Sequence, residues 1–300
     1  VPSLSRLCTA FSMLGAKWAA LADSNSGGST SEDDLKEEDS EAGPTSSCKE
    51  NLAYWREYIP WYPDGCFGPY RRHADGYSRR ELAADGATHV LGITLGCVGI
   101  VLLIWSSATH QPPIEITVSV SVYGAALLLM LCFSAAFNCF AWSQHIWVLQ
   151  LLDHIGILLL IAGTYAPVMT FACCPRCLSF VWSLAFLSTA AKASRSRFDV
   201  VALHVPCFLL MGWVCMLVWG DLLQVFSRWA LGMCLAGGCF YSLGLIPWAI
   251  NKLEFHNAIW HVCVLAGSAC FFAIVYKEVS QPSNWKAVGE GICQADLSGA

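Results

Sequence analysis

Apolar stretches of about 20 residues recur along the chain from about residue 88 onward. A helix rises about 1.5 Å per residue, so about 20 apolar residues cross the hydrocarbon core of a bilayer. We count seven such stretches, at approximately residues 88–106, 115–137, 148–171, 178–191, 199–219, 223–248 and 257–277. The pattern predicts an all-α integral membrane protein, a seven-transmembrane helix bundle. The fourth stretch is the weakest, and a six-span alternative would merge or omit it.

The composition agrees with a membrane protein. The chain has 300 residues, of which 56% are hydrophobic and 13% are charged, whereas soluble domains carry about 25% charged residues. The net charge of -5 comes largely from an acidic segment near the N-terminus, so it says little about partners of the folded part. No basic patch supports nucleic-acid binding. We therefore expect membrane lipids as partners, with a lipid or peptide ligand as a further option.

The chain divides into three parts. Residues 1–78 form an N-terminal tail that we expect to be cytosolic and disordered at about 24–47, where Ser, Gly, Asp and Glu dominate. The start of this tail could form an amphipathic helix, and we see no clear signal peptide. Residues 79–277 form the predicted membrane domain, and residues 278–300 form a short C-terminal tail.

The distribution of Lys and Arg between the spans indicates the orientation. Cytoplasmic loops are enriched in these residues. With seven spans, one side carries Arg71, Arg72, Arg79, Arg80, Lys192, Arg195, Arg197 and Lys252, and the other carries Arg176, Arg228, Lys277 and Lys286. The larger group predicts a cytosolic N-terminus and a C-terminus on the outside or in a lumen.

Most of the sixteen cysteines lie in apolar runs, where Cys behaves as a small packing residue. The string ACCPRC is the exception, because it falls between predicted spans. An ordinary loop, a disulfide and a metal site are the alternatives for Cys173, Cys174 and Cys177.

Polar residues converge at one depth of the predicted bundle. The second span ends with Ser134 and Asn138, the third begins with Asp153, and the seventh begins with Asn257 and His261. Each of the two pairs is spaced four residues apart and so shares one helix face. A similar level is reached by Glu81, Asp85 and His89 at the first span. Ionisable residues inside membrane spans are costly and often mark functional sites.

A structural alternative exists for part of this pattern. Asp153 could lie in headgroup water as an acid at a helix N-terminus, where the helix dipole favours it. For the adjacent His154, we favour such a structural role over a role in a site. We expect Gly156 and Gly163 to allow close approach of neighbouring helices.

Three strings carry a family resemblance: ELAADGATHVLG, DHIGILLLIAGTYAP and HNAIWHVCVLAGSACFF. Over roughly residues 79–277 the chain resembles the haemolysin III family. That family belongs to the superfamily of progestin and adipoQ receptors, which includes the adiponectin receptors and is distantly related to alkaline ceramidases. The resemblance implies a seven-helix bundle with a cytosolic N-terminus.

In receptor members of the superfamily, three His hold a zinc ion, and an Asp and a Ser act around a metal-bound water. By resemblance the Ser is Ser134, the Asp is Asp153 and one ligand is His261. The other two ligand positions hold Asn138 and Asn257, and Phe271 replaces a further usual His. An amide oxygen is a weak zinc ligand. The expected metal ligands are therefore His261 with Asn138, Asn257 and His256, and His154 or His145 could also substitute.

Two hypotheses for function follow from the resemblance. The first is a zinc-dependent hydrolase of a lipid amide such as a ceramide, with Asp153 as general base and Ser134 positioning water or substrate. The second is a non-catalytic protein, receptor-like or membrane-perturbing, with a degenerate zinc site. A channel or transporter is a weaker alternative, because the spans carry few charges.

Overall fold

The chain folds into helices in a computed structural model that describes residues 78–140, 146–194, 201–250 and 253–281, and no strand occurs in these ranges. The helices are α1 (Arg79–His110), α2 (Ile114–Cys139), α3 (Ile146–Phe171), α4 (Pro175–Ala193), α5 (Val201–Trp213), α6 (Trp219–Val225), α7 (Arg228–Ala249) and α8 (His256–Ile274). A 3-10 segment, Val214–Val218, joins α5 to α6, and a π-helical segment, Val275–Val279, extends α8. The expectations for residues 1–77, His145 and the end of the C-terminal tail lie outside the described residues.

The first helix begins about nine residues before the apolar stretch that predicted it. Ser78 caps α1, because its hydroxyl accepts the backbone N–H of Glu81 while the Glu81 carboxylate accepts the backbone N–H of Ser78. This reciprocal capping satisfies two amide groups that lack partners at a helix start. The additional turns carry Asp85 into the bundle beside His89, which lies one turn further along.

Six described helical segments are long and apolar enough to cross a membrane: Arg79–His110, Ile114–Cys139, Val148–Phe171, His204–Val225, Arg228–Ala249 and His256–Val279. The prediction of a membrane bundle is therefore confirmed, whereas the count of seven is not. The fourth predicted span does form a helix, α4, with 19 residues. Its apolar stretch lies between Arg176 and Lys192 and contains several Ser and Thr residues, so its hydropathy is lower.

The predicted boundary between the fifth and sixth stretches, near residues 219–223, is wrong. The helical chain continues through Gly220 and Asp221 to Val225, and the break lies at Phe226 and Ser227. Ser227 starts α7 because its hydroxyl accepts the backbone N–H of Ala230. A hydroxyl cap of this kind stabilises a helix start by about 1 kcal/mol, and this favours the later boundary.

Helices α2 and α3 form the closest pair in the bundle. A Cβ atom on Gly163 would lie 2.5 Å from the Cβ of Ala126, and one on Gly156 would lie 3.0 Å from the Cα of Met130. A side chain on Gly163 would force the helices apart, and one on Gly156 would require α2 to shift by a few tenths of an ångström, so the prediction for these two glycines is confirmed. Because α2 and α3 are in contact near Gly156, Ser134 on α2 lies beside Asp153 on α3.

Candidate functional site

One face of α1 carries three buried ionisable side chains spaced four residues apart, Glu81, Asp85 and His89. This spacing places them on one side of the helix. The Glu81 Oε1 atom accepts the backbone N–H of Phe255 at 3.2 Å. Glu81 thereby fixes the beginning of α8 beside α1.

Helix α8 presents Asn257 and His261 to Asp85. His261 Nδ1 lies 2.6 Å from Asp85 Oδ1, and Asn257 Nδ2 donates to Asp85 Oδ2 at 3.1 Å. Each carboxylate oxygen thus has its own partner on α8. Two such contacts hold the carboxylate in one orientation.

Helix α2 contributes Ser134 and Asn138 to the same point. Asn257 Nδ2 also donates to Asn138 Oδ1 at 2.9 Å, and Asn138 Nδ2 donates to the Ser134 carbonyl at 2.9 Å. The Ser134 hydroxyl lies 3.4 Å from Nε2 of His261. Hydrogen bonds therefore connect α1, α2 and α8 through buried side chains.

Helix α3 adds Asp153 beside Ser134. Its carboxylate interacts with the Ser134 hydroxyl and electrostatically with His89, Asp85 and Lys192. Lys192 is buried near the end of α4. We call the following seven side chains the polar cluster: Asp85, His89, Ser134, Asn138, Asp153, Asn257 and His261.

Three members of the polar cluster have the spacing of metal ligands. Asp85, His89 and His261 each offer one ligand atom, and these atoms lie within 4.8 Å of one another. No other group of this kind is found in the described ranges. Among the described residues, the buried Nε2 atom of His89 has no hydrogen-bond partner, and it lies 3.6 Å from Asp85 Oδ2. An Asp/His/His donor set suits zinc, and an ion would give this nitrogen a partner.

The structure brings together four residues that the sequence predicted for the site, Ser134, Asn138, Asn257 and His261, with Asp153 next to Ser134. They come together because the ends of α2, α3 and α8 lie at one level of the bundle.

The predicted ligand His256 is fully buried at the first position of α8, outside the group with metal-ligand spacing. His154 contacts the backbone carbonyl of Gln150 with its Nδ1 at 2.8 Å, and its ring lies 6.3 Å from that of His204. Neither residue belongs to the polar cluster.

The sequence indicates the depth of Asp85 and His89, but these two residues were not among the predicted site residues. The signal was the spacing of four residues from Glu81 to Asp85 and from Asp85 to His89, which repeats the spacing on α2 and α8. Their contacts with His261 depend on how α1 packs against α8, and spacing within one helix does not give that.

An apolar cavity of about 190 Å³ adjoins the polar cluster. Helices α3, α5 and α7 provide most of its aliphatic and aromatic lining. Near the cluster, Gln150, Asp153, His154 and His204 line it. Asp153 is therefore a member of the polar cluster and also a wall of the cavity. This cavity was not predicted from the sequence.

The Cys-rich string forms the short connection between α3 and α4 and the start of α4. Cys173 is disulfide-bonded, Cys174 donates its thiol hydrogen to the carbonyl of Ala172, and Cys177 is buried. None of these cysteines belongs to a group with metal-ligand spacing among the described residues. Of the three alternatives for the string, the structure contains the disulfide at Cys173.

Comparison with known proteins places these observations in a family. The model of the family described as haemolysin-III related matches residues 79–272. The chain is similar to hemolysin-3 of Bacillus cereus, with 31% identity over 200 residues, which cover 65% of this chain and 90% of that protein. It is also similar to the hemolysin-3 homolog of Bacillus subtilis (strain 168), with 32% identity over 215 residues, covering 69% and 98% respectively.

Proposed function

This multi-pass membrane protein belongs to the haemolysin III family. From this premise we propose that it is a lipid hydrolase, which breaks the amide bond of a ceramide-like membrane lipid. The observation that carries this proposal is the double position of Asp153. Its carboxylate interacts with Ser134 in the polar cluster and also lines the apolar cavity. A lipid chain in the cavity would bring its acyl carbonyl next to Asp153 and Ser134, which we propose as the catalytic residues.

The cavity favours a lipid over a soluble substrate, and its polar end would provide selectivity. A lipid already has an apolar environment in the bilayer, so transfer of its chain into the cavity gains little hydrophobic free energy. Selectivity must then come from hydrogen bonds to the polar headgroup. Gln150, His154 and His204 line the cavity near Asp153 and can provide such hydrogen bonds.

The zinc ligands that the family resemblance implies do not fit this chain at two positions. Asn257 directs its amide nitrogen to Asp85 and to Asn138, and Asn138 Oδ1 accepts that hydrogen bond. The donor set that does fit is Asp85, His89 and His261. A zinc ion held there would supply Lewis-acid polarisation of a carbonyl or a water molecule. The residues of the chain itself would bind and orient the lipid and transfer the protons.

For topology we propose seven spans, with α4 included and with the polar cluster at the cytosolic end. The 19 residues of α4 extend about 28 Å, close to the thickness of the hydrocarbon core. In this arrangement the connection between α3 and α4 lies on the side opposite to the cytosol. The disulfide of Cys173 supports this orientation, because disulfides persist outside the reducing cytosol.

The test is hydrolysis of a short-chain ceramide by the full chain, purified and reconstituted in phosphatidylcholine vesicles. We expect release of free fatty acid, and a decrease of about 100-fold or more in Asp153→Ala, because removal of an acid–base group typically costs about 10²–10⁴ in rate. His110→Ala is the matched control, because His110 lies at the opposite end of α1. Vesicle leakage without fatty acid release by folded protein would contradict the proposal and favour a membrane-perturbing protein.

A further inference from the structure

Asp85, His261 and Ser134 form a linear series of contacts inside the polar cluster. Asp85 Oδ1 lies 2.6 Å from one ring nitrogen of His261, and the other ring nitrogen lies 3.4 Å from the Ser134 hydroxyl. We infer that Ser134 is a covalent nucleophile for acyl transfer, that His261 is its general base, and that Asp85 is a positioning residue. This inference rests on the proposed function and assigns its chemical mechanism.

The contacts of His261 define which ring nitrogen carries the hydrogen. The Asp85 carboxylate can only accept, so Nδ1 of His261 must donate. Nε2 of the neutral ring then has a free lone pair directed toward the Ser134 hydroxyl. This is the arrangement in which a histidine removes a proton from a serine. The distance of 3.4 Å is longer than a tight hydrogen bond, and such contacts are often longer before substrate binds.

The two asparagines that replace the expected zinc ligands support this series of contacts. Asn257 Nδ2 donates to Asp85 Oδ2 and so keeps Oδ1 directed at His261. Asn138 accepts from Asn257 and donates to the backbone carbonyl of Ser134. The departures from the family pattern therefore supply donors that orient Asp85 and restrain the backbone of Ser134.

Asp153 lies on the substrate side of this series. Asp85, His261 and Ser134 do not line the cavity, whereas Asp153 lines it and interacts with the Ser134 hydroxyl. An acyl carbonyl in the cavity would therefore approach Ser134 from the side of Asp153. In this arrangement the nucleophile would lie between its base, His261, and a lipid held in the cavity.

The proposed reaction has two steps. In the first, Ser134 Oγ forms a bond to the acyl carbon, its proton passes to His261 Nε2, the carbon–nitrogen bond of the amide breaks, and the departing nitrogen takes that proton. In the second, water attacks the acyl–Ser134 ester and gives its proton to Asp153. The ester bond breaks, and Ser134 Oγ takes the proton from Asp153. The products are a fatty acid and a free amine, and the only co-reactant is water.

Zinc binding and this series require the same lone pairs. A zinc ion on Nε2 of His261 would take the lone pair that Ser134 needs. A zinc ion on Nδ1 and Asp85 Oδ1 would displace the hydrogen bond that these two atoms share at 2.6 Å, so zinc binding and the series of contacts exclude each other. The proposed acyl transfer is therefore independent of a metal.

The test is covalent labelling of the purified full chain with a fluorophosphonate probe, which reacts with activated serines, followed by mass spectrometry. We expect an adduct on Ser134 at the same rate with and without a zinc chelator, and no adduct in Ser134→Ala. Ser119→Ala is the matched control, because Ser119 is a buried serine of the same helix and, among the residues that the structure describes, its hydroxyl bonds within its own helix, to the Ile116 carbonyl. It should be labelled like the unchanged chain.

The positioning role of Asp85 has a separate readout. Asp85→Asn keeps the shape of the side chain but replaces one acceptor oxygen by an amide nitrogen. Because Asn257 Nδ2 donates to the other oxygen, the new nitrogen would face Nδ1 of His261 and place the ring hydrogen on Nε2. We expect the maximal labelling rate to fall by about 100-fold or more, as for the corresponding change in a serine protease, while the half-saturating probe concentration stays within about twofold. An equal change in both quantities would indicate a structural role only and overturn this assignment.

The outcomes separate this inference from the proposed function. An adduct on Ser134 without ceramide turnover supports the nucleophile and contradicts the lipid-amide substrate. Ceramide turnover that is lost with the chelator, without an adduct on Ser134, contradicts the nucleophile and leaves the hydrolase in place. Absence of both in folded protein contradicts both. The chelator comparison uses the unchanged chain and does not depend on the folding of a variant.

Discussion

The polar cluster and the apolar cavity share Asp153 and are otherwise built in opposite ways. In the cluster, Asp85 has one partner on each carboxylate oxygen, and Asn257 contacts two acceptors. In the cavity, aliphatic and aromatic side chains leave about 190 Å³ between α3, α5 and α7. The comparison indicates that fixed geometry is reserved for the groups that would perform chemistry. The space for a lipid chain needs only shape and an apolar lining.

The two regions should therefore respond differently to substitution. Removal of one partner in the cluster leaves a buried polar atom without a hydrogen bond, which costs about 1–3 kcal/mol and disorients the remaining groups. Added bulk in the cavity changes only the available space. We expect large effects on all substrates in the first case and selective effects in the second.

The largest effect is expected when the hydrogen bonds of the cluster are replaced by metal ligands. The double substitution Asn138→His and Asn257→His restores the donor types that the family resemblance implies, and imidazole suits zinc. We expect about one zinc ion per chain by elemental analysis. Labelling of Ser134 should fall by about 100-fold, because loss of groups that orient a site typically costs about 10–100-fold.

The single substitution Asn257→Ala is the control for the double variant. It removes the same donor to Asp85 without adding a ligand, so labelling should fall while zinc content stays as in the unchanged chain. Full labelling in the double variant would contradict the supporting role of the asparagines.

An intermediate effect is expected when the cavity is filled. Gly212 lines the cavity, and a Cβ atom there would meet nothing within 4 Å. Gly212→Leu should lower turnover of a long-chain ceramide relative to a short-chain one by about tenfold, since pocket contacts of this size are worth about 1–3 kcal/mol. Labelling of Ser134 by a small probe should be unaffected.

The matched control for the cavity is Gly220→Leu. Gly220 also has open space around its Cβ position but does not line the cavity. Its chain-length preference should equal that of the unchanged protein. An equal loss in both variants would indicate a general effect on the bundle rather than a filled cavity.

The smallest effect is expected at the Cys173 disulfide. Asp153 lies near the start of α3, and Cys173 lies two residues after the end of that helix. The twenty residues between them correspond to about 30 Å. Addition of an impermeant reductant to the outside of intact cells should reduce the disulfide and change ceramide turnover by less than about twofold. Resistance of the disulfide to that reagent, with reduction only after the cells are opened, would contradict the proposed orientation.

The membrane class and most helices could be predicted from the sequence, because about 20 apolar residues have few alternatives to a helix in a bilayer. Helix ends were harder to predict. The start of α1 at Arg79 depends on the Ser78 cap, and the break at Ser227 depends on another cap. Such polar contacts act outside or between apolar stretches, so hydropathy does not detect them.

The candidate site was predictable in part, because spacing within a helix can be read from the sequence and packing between helices cannot. The spacing of four puts Ser134 and Asn138 on one helix face and Asn257 and His261 on another, and the assignment of the spans placed the two pairs at one level. The contact of Asp85 with His261 depends on the packing of α1 against α8. The cavity depends on gaps among α3, α5 and α7. Packing between helices is a property of the assembled bundle, and spacing along one helix does not determine it.

The most direct test of the central claim is hydrolysis of short-chain ceramide by the reconstituted chain in water enriched in oxygen-18, with mass spectrometry of the fatty acid. We expect fatty acid that carries one oxygen-18 atom in its carboxyl group, formed by the unchanged chain and lost in Asp153→Ala. Intact ceramide with folded protein, or equal release by Asp153→Ala, would contradict the claim that the polar cluster is a hydrolytic site.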